Sequence, residues 1–260
     1  MNKPHEARHR RTIIDQFTRQ AFPFTQVRGH LDAMGNLLEI SKVHANDTVL
    51  DVACGPGLVT CAFARFASHV TGVDITPAMI EQATIRQQEA GQENIVWRVA
   101  DVTALPYADD TFSLVLTRYS FHHLLAPEAV LREMIRVCRP GGRVAVADIA
   151  MEADKAVAFD KLELLRDPSH IHALTHEEFA SLFQNSDLAD CVQGRYCIDI
   201  ELEAQLSASF PGPGGKDRLR AMIVNDIGID SLGISARRED GNILYSVPVA
   251  VYAGCKKRKC

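Results

Sequence analysis

The stretch TVLDVACGPGLVTCAFARFASHVTGVDITPAMI (residues 48–80) decides the fold. A predicted strand (48–53) ends in two glycines around a proline, a helix (58–67) follows, and a second strand (69–75) carries an acidic residue near its end. Glycines let the backbone turn sharply and approach a ligand closely, and a carboxylate at the second strand end can accept ribose hydroxyls. The stretch is therefore typical of a nucleotide-binding unit.

The β–α alternation continues beyond this unit, and it implies a mostly parallel sheet with helices on both faces. No interior linker or repeat divides the chain, so one domain is expected. We predict further strands at 95–101, 112–119, 143–150, 191–207 and 242–256, and further helices near 1–20, 31–43, 77–90, 127–138, 152–166 and 175–185.

Composition excludes several classes of protein. Of the 260 residues, 47% are hydrophobic and 23% charged, which is ordinary for a soluble globular protein. The net charge of −5 argues against a nucleic-acid partner. No apolar run approaches a membrane span, and seven cysteines without a CxxC pair favour a reduced, cytoplasmic protein.

Three acidic residues lie at or near strand ends, and they discriminate between nucleotide ligands. Asp51 inside the first strand would repel a pyrophosphate and suit a cationic ligand, and Thr60 replaces the third glycine of a GxGxxG fingerprint. Both features argue against a dinucleotide oxidoreductase. Asp74 is placed to hold a ribose and Asp101 to read an adenine edge. The alternatives are that Asp51 caps the next helix and that Asp74 and Asp101 are loop acids.

Four segments together resemble the successive motifs of class I S-adenosylmethionine-dependent methyltransferases, closest to the type 11, ubiquinone/menaquinone methyltransferase-like group. They are VLDVACGPG, VTGVDITPAMI, VADVTALPYADDTFSLV and VCRPGGRVAVADI, and the resemblance covers about residues 12–190. It implies a Rossmann-like α/β fold with a mostly parallel seven-stranded sheet, helices on both faces and an antiparallel last strand. It also implies S-adenosylmethionine as cofactor and S-adenosylhomocysteine as product.

The resemblance also divides the single domain 1–260 and assigns its cofactor contacts. An N-terminal helical lid (1–46) precedes the cofactor-binding core (47–150), and residues 151–260 supply substrate-covering helices and the last two strands. Core packing is the alternative for Met79 and for the lid residues Phe17 and Phe24. The cofactor contacts implied are Gln20, Asp51, Ala53, Gly55, Gly57, Asp74, Ile75, Met79, Asp101, Val102, Thr117 and Arg118.

Candidate catalytic residues follow the fourth strand, in TRYSFHHLL (117–125). His122 and His123 lie beyond the carboxyl end of the sheet, where ligands bind in open α/β folds, and a histidine has a suitable pKa for a general base. Tyr119 is the third candidate and would orient a substrate. Structural roles in packing or hydrogen bonding are the alternatives for all three.

Substrate contacts are expected from the lid, from the fourth-strand end and from LLRDPSHIHALTHEEF (164–179). The histidines of that segment show no HExxH pattern and Pro168 interrupts them, so no metal is predicted. An Arg166–Asp167 salt bridge is the alternative for Arg166. The candidate substrate contacts are Phe17, Phe24, Arg118, Tyr119, His122, Arg166, His170 and His172.

The predicted function is methyl transfer to a small planar aromatic or N-heterocyclic metabolite. N-methylation in natural-product biosynthesis is expected, and an azapteridine of the toxoflavin kind is one candidate acceptor. The alternatives are C- or O-methylation of a quinone or phenol, a nucleic-acid methyltransferase, and a non-catalytic cofactor-binding module. TRYS replaces the [DNS]PP[YFW] segment of nucleic-acid amino-methyltransferases. A monomer or homodimer without a nucleic-acid or membrane partner is expected.

Overall fold

A computed structural model describes residues 3–24 and 34–258, apart from the side chains of Lys3 and Phe24. Within them, eight strands form one sheet in the order β3-β2-β1-β4-β5-β8-β6, with β7 paired to β8. The strands are β1 Thr48–Val52, β2 His69–Asp74, β3 Ile95–Val99, β4 Phe112–Arg118, β5 Cys138–Ile149, β6 Leu188–Glu201, β7 Arg237–Glu239 and β8 Asn242–Lys256.

Helices cover both faces of the sheet, and α1 and α2 precede the first strand. No helix in residues 3–24 and 34–258 is long and apolar enough to cross a membrane. The helices are α1 Lys3–Phe24, α2 Met34–Ser41, α3 Leu58–Phe63, α4 Pro77–Glu89, α5 Pro127–Val137, α6 Ala156–Arg166, α7 His176–Gln184, α8 Leu202–Ser207 and α9 Gly215–Asn225, with a 3₁₀ turn at Phe121–His123.

The strand order creates a crevice between β1 and β4. From β1 the chain first builds outward through β2 and β3, and then returns to place β4 on the other side of β1, all in parallel. Ligands of open α/β sheets bind where the direction of winding reverses, at the carboxyl ends of the strands. The fold therefore places the expected ligand site beside the ends of β1 and β4.

The second half of the sheet is antiparallel at β8, which pairs with β5 on one side and β6 on the other. This confirms the predicted antiparallel last strand. The short β7 is an eighth strand beyond the seven predicted. Because β8 runs against its neighbours, its beginning lies beside the ends of β5 and β6.

The long strand predicted at 191–207 is wrong in its second half. β6 ends at Glu201, whose carboxylate accepts hydrogen bonds from the backbone N–H groups of Glu203 (2.9 Å) and Ala204 (2.6 Å). These groups lack partners within a new helix, so an acidic side chain at its start stabilises it. The cap begins α8, which turns 202–207 into a helix at the edge of the candidate site.

Candidate active site

A cavity opens at the carboxyl ends of the parallel strands. One half lies against the glycine turn after β1 and the end of β2, at Gly55 and Asp74. The other half lies beyond β4, between α6, β6 and the start of β8. Ile13, Phe17 and Gln20 of α1 line the same cavity. The two halves are therefore continuous, which a transfer reaction between two bound molecules requires.

The glycine turn holds three left-handed residues, Ala53 (φ 56°), Gly55 (φ 52°) and Gly57 (φ 79°). A Cβ on Gly55 would meet nothing within 4 Å, so the backbone there faces open cavity. A Cβ on Gly57 would lie 2.8 Å from Cη2 of Trp97. The missing side chain at Gly55 thus lets a ligand approach the backbone closely, whereas the missing side chain at Gly57 lets the turn pack against the core.

Asp74 ties the end of β2 to this turn. Its Oδ2 accepts a hydrogen bond from the backbone N–H of Gly55 (2.9 Å), and its Oδ1 accepts one from Thr76 (2.8 Å). Burial raises the pKa of the carboxyl above its ordinary 3.8, while these N–H groups act in the opposite direction. The carboxylate lines the cavity and keeps lone pairs for ligand hydroxyls.

An apolar wall continues from Asp74. Ile75, Met79 and Val102 line the cavity, and Met79 is also fully buried. Asp101 does not line the cavity. Its carboxylate accepts hydrogen bonds from Thr103 and pairs with Arg10 of α1 at 2.7 Å. The apolar wall suits a flat ring, while Asp101 in this arrangement joins the sheet to α1.

Asp51 and Thr117 do not line the cavity either. The Asp51 carboxylate accepts a hydrogen bond from the Thr60 hydroxyl at 2.6 Å, and burial raises its pKa to about 7. Thr60 lies in the first turn of α3, so this hydrogen bond ties β1 to that helix. The hydroxyl of Thr117 donates to the carbonyl of Val52 at 2.6 Å and joins β4 to β1.

His122 forms a buried pair with Asp148. Nδ1 of His122 lies 2.5 Å from Oδ1 of Asp148, which also accepts the backbone N–H of Ile149. Burial lowers the pKa of His122, but the charge and hydrogen bond of Asp148 outweigh it, so the pKa lies above its ordinary 6.5. His122 lines the cavity, and a proton held by Asp148 on Nδ1 leaves Nε2 as the basic atom.

His123 has a different environment. Burial and the neighbouring His122 lower its pKa to about 3, so the imidazole stays neutral. Its Nδ1 lies 3.1 Å from the Ser169 hydroxyl, and its ring meets Phe17 edge-on at 5.0 Å between centroids. A base with such a low pKa drives proton removal weakly. The pair of histidines therefore divides into a basic member and a packing member.

Tyr119 adopts a left-handed backbone (φ 57°) directly after β4. Its ring lies 4.3 Å from the Arg118 guanidinium carbon, its hydroxyl accepts a hydrogen bond from Arg118 (3.0 Å), and it lies 3.1 Å from the Tyr196 hydroxyl. Both Arg118 and Tyr119 line the cavity. Strained backbone of this kind concentrates at ligand sites.

Arg166 lines the cavity but pairs with Glu163, not with Asp167. Its Nε lies 2.9 Å from both carboxylate oxygens of Glu163, and Nη2 lies 2.6 Å from Oε2. The predicted local pair with Asp167 is replaced because Glu163 lies one helical turn back, within reach of the guanidinium. Asp167 instead accepts hydrogen bonds from Ser169 and from Gln20 of α1.

His170 and His172 do not line the cavity, contrary to their predicted substrate contacts. Both bond to Asp160 at 2.7 Å, and His172 also bonds to Glu178 at 2.9 Å. Asp160 and Glu178 engage both nitrogens of His172 and Nε2 of His170, while Nδ1 of His170 is buried without a partner among the described residues. Across the described part of the chain, no group of three or more His, Cys, Asp or Glu side chains could hold a metal ion.

α1 closes over the cavity through contacts to several elements. His9 bonds to the carbonyl of His123 at 2.7 Å, and Gln20 donates to Asp167 at 2.9 Å. With the Arg10–Asp101 pair, these bonds hold the helix across both halves of the site. Phe17 lies over the second half, and the predicted contact of Phe24 falls outside the described side chains.

Sequence reasoning missed several residues that line the cavity or bond to its lining. Asp148, the partner of His122, is an acid inside the apolar run VAVADIA, and that break in the pattern could have identified it. Glu163 and Asp167 lie three residues before and one residue after Arg166. Gln205 and Tyr245 come from segments without a recognisable motif, so only the fold brings them in.

The first half of the cavity fits S-adenosylmethionine in its chemistry. Gly55 leaves open space where any other residue would place a Cβ, Asp74 presents a carboxylate, and an apolar wall follows. These features match an adenosine with a free ribose edge.

Comparisons with known proteins agree. A family model described as a methyltransferase domain matches residues 50–146. The uncharacterized methyltransferase YcgJ of Bacillus subtilis is 31% identical over 158 residues, covering 60% of this chain and 62% of that protein. Its crystal structure superposes with a TM-score of 0.77 at 24% identity, covering 87% of this chain and 98% of that one, which concerns the fold alone.

Two further relatives are named methyltransferases. Methyltransferase GfsG of Streptomyces halstedii is 36% identical over 166 residues, covering 59% of this chain and 60% of that protein. A demethylmenaquinone methyltransferase of Clavibacter sepedonicus is 32% identical over 106 residues, covering 41% of this chain and 42% of that protein. The chain matches about three fifths of the length of YcgJ and about three fifths of the length of GfsG.

Proposed function

We propose that the chain is a class I S-adenosylmethionine-dependent methyltransferase and that it methylates a small planar acceptor that loses a proton on reaction. The acceptor class is an aromatic or N-heterocyclic metabolite. The observation that carries this proposal is the hydrogen bond between His122 and Asp148, because His122 lines the same cavity as Gly55 and Asp74.

We assign the cofactor to the first half of the cavity. Gly55 and Asp74 hold the methionine and ribose portions there, Ile75, Met79 and Val102 enclose the adenine, and Gln20 closes the site from α1. When bound, S-adenosylmethionine supplies a methyl group on a sulfonium that needs no further activation. The protein therefore acts mainly by alignment and by exclusion of water.

The second half binds the acceptor. Arg118 and Tyr119 orient it at the end of β4, and Phe17 covers it. With S-adenosylmethionine bound, methyl transfer to an acceptor nitrogen or oxygen would release a proton, which Nε2 of His122 would take. Asp148 stabilises the resulting imidazolium and is a positioning residue. The neutral His123 packs beneath Phe17 and takes no part in proton transfer.

N-methylation of a heterocycle, of which an azapteridine is one example, fits a base in the cavity because a ring N–H must be removed. O-methylation of a phenol uses the same base and is the second candidate. A quinone-ring carbon is a third, since one relative is a demethylmenaquinone methyltransferase. A net charge of −5 speaks against nucleic acid as the acceptor.

Titration calorimetry with S-adenosylhomocysteine, NAD and NADP tests the cofactor. We expect S-adenosylhomocysteine alone to bind, with micromolar affinity. Binding of NAD or NADP instead would overturn the proposal. Mass spectrometry then follows methyl transfer from S-adenosylmethionine to a panel of lactam heterocycles, phenols and dihydroquinones. Cofactor binding without methylation of any of them would favour a non-catalytic binding module.

A further inference from the structure

The acceptor half contains a buried amide whose oxygen has no partner among the described residues. Gln205 on α8 lines the cavity and is only 8% exposed, and its Oε1 has no hydrogen bond within the described residues. Burying an amide without compensating bonds costs free energy, so such a group at a cavity wall points to a ligand that satisfies it.

A second buried polar group stands in the same cavity wall. Tyr245 on β8 is 4% exposed and brings its hydroxyl to the wall of the same cavity. Glu163 and Arg166 complete this wall and neutralise each other through their bidentate pair. A buried ion pair without net charge gives no partner to an ionised ligand, so the wall favours a neutral polar group.

The remaining walls of this half are apolar. Phe159 of α6, Ile198 and Ile200 of β6 and Val247 of β8 all line the cavity and are buried. A ligand that fits is therefore apolar over its faces and polar along one edge.

We propose that Gln205, Tyr245 and Arg166 form a subsite for the neutral lactam edge (–CO–NH–) of a planar heterocyclic acceptor. This inference rests on the proposed function and narrows its acceptor class. An amide both donates and accepts hydrogen bonds, and a lactam edge is its complement in both directions. A phenol or a quinone satisfies only part of the subsite.

Titration calorimetry on the full chain tests the subsite. It measures the affinities of quinazoline-2,4-dione and of its 1,3-dimethyl derivative, with and without saturating S-adenosylhomocysteine. The derivative keeps both carbonyls but lacks the N–H groups. We expect the dione to bind roughly fivefold to tenfold more tightly, the worth of one buried hydrogen bond. Gln205→Leu should weaken binding of the dione by a similar factor and remove the difference in affinity between the two compounds.

Gln16→Leu is the matched control. Gln16 is also buried, and its Nε2 also lacks a partner within the described residues, but it does not line the cavity. Its replacement should leave the dione preference intact, and unchanged affinity for S-adenosylhomocysteine verifies folding of both variants.

Equal binding of the two compounds, a preference that survives Gln205→Leu, or no binding of the dione would each overturn the subsite. Failure of the wild type to bind S-adenosylhomocysteine would instead overturn the proposed function. In that case, titrations of the dione without S-adenosylhomocysteine would still decide whether the subsite exists.

Discussion

Nδ1 of His122 lies 2.5 Å from Oδ1 of Asp148, although the two residues are 26 positions apart in the chain. Their meeting follows from the parallel pairing of β4 and β5, whose carboxyl ends place the 3₁₀ turn Phe121–His123 over the end of β5. Both side chains are almost completely buried. The proposed base is therefore positioned by sheet register rather than by a flexible loop.

The pair predicts a shift in the pH profile. Neutral His122 is the base, so the single-turnover rate should rise as pH passes upward through its pKa, which lies above 6.5. In Asp148→Asn the charge that raises this pKa is gone, so the midpoint should move to lower pH, and the rate should fall by at least about tenfold. An unchanged midpoint would contradict the assignment. In a His122→Asn background, the Asp148→Asn change should have no further effect on rate.

Asp74→Ala should weaken binding of S-adenosylhomocysteine by about 2 kcal/mol or more, because charged hydrogen bonds to the ribose and the tie to Gly55 are both lost. Titration calorimetry measures the change. Asp74→Asn keeps an oxygen for the Gly55 N–H and should have an intermediate effect. Wild-type affinity in the alanine variant would remove Asp74 from the cofactor site.

The two glycines of the turn should respond differently to alanine. Gly55→Ala adds a methyl group in open cavity, so we expect a stability loss of about 1 kcal/mol from positive φ and a clear loss of cofactor affinity. Gly57→Ala drives a methyl group against Trp97, so the free energy of unfolding should fall by about 2–4 kcal/mol. Denaturant titration compares them, and equal destabilisation would argue against this division of roles.

The Arg10–Asp101 ion pair predicts competition with the cofactor. If Asp101 binds adenine, as the family resemblance implies, then Arg10→Ala frees the carboxylate and should tighten binding of S-adenosylhomocysteine by up to about 1 kcal/mol. Arg11→Ala on the same helix is the control, since Arg11 is exposed and no ion pair of it is found within the described chain. Identical affinities in both variants would assign Asp101 to anchoring α1 alone.

The sequence predicted the half of the site that depends on local pattern. The glycine turn, Asp74 and Met79 follow from residues close to one another in the chain, and the structure brings them to one cavity. Asp51 and Asp101 lie at the predicted strand positions, but Thr60 and Arg10 engage their carboxylates. Strand periodicity gives the position of a side chain, whereas its partner depends on which helix packs above it.

The acceptor half was largely unpredictable for a related reason. Gln205 and Tyr245 lie 40 residues apart, and only the antiparallel return of β8 beside β6 makes them neighbours of one cavity. The end of β6 was missed because Glu201 begins a helix inside an otherwise strand-like run. A side-chain cap outweighed the strand preference of the flanking residues.

The placement of α8, α9 and β7 between β6 and β8 has a consequence for engineering. Gln205 and Ala208 of this segment line the proposed acceptor half, and the segment contributes nothing to the glycine turn or to Asp74. Changes within 202–241 should therefore alter the acceptor contacts while the proposed methyl donor's half keeps its residues. Chimeras that exchange 202–241 at its junctions with β6 and β8 are natural units for engineering the acceptor.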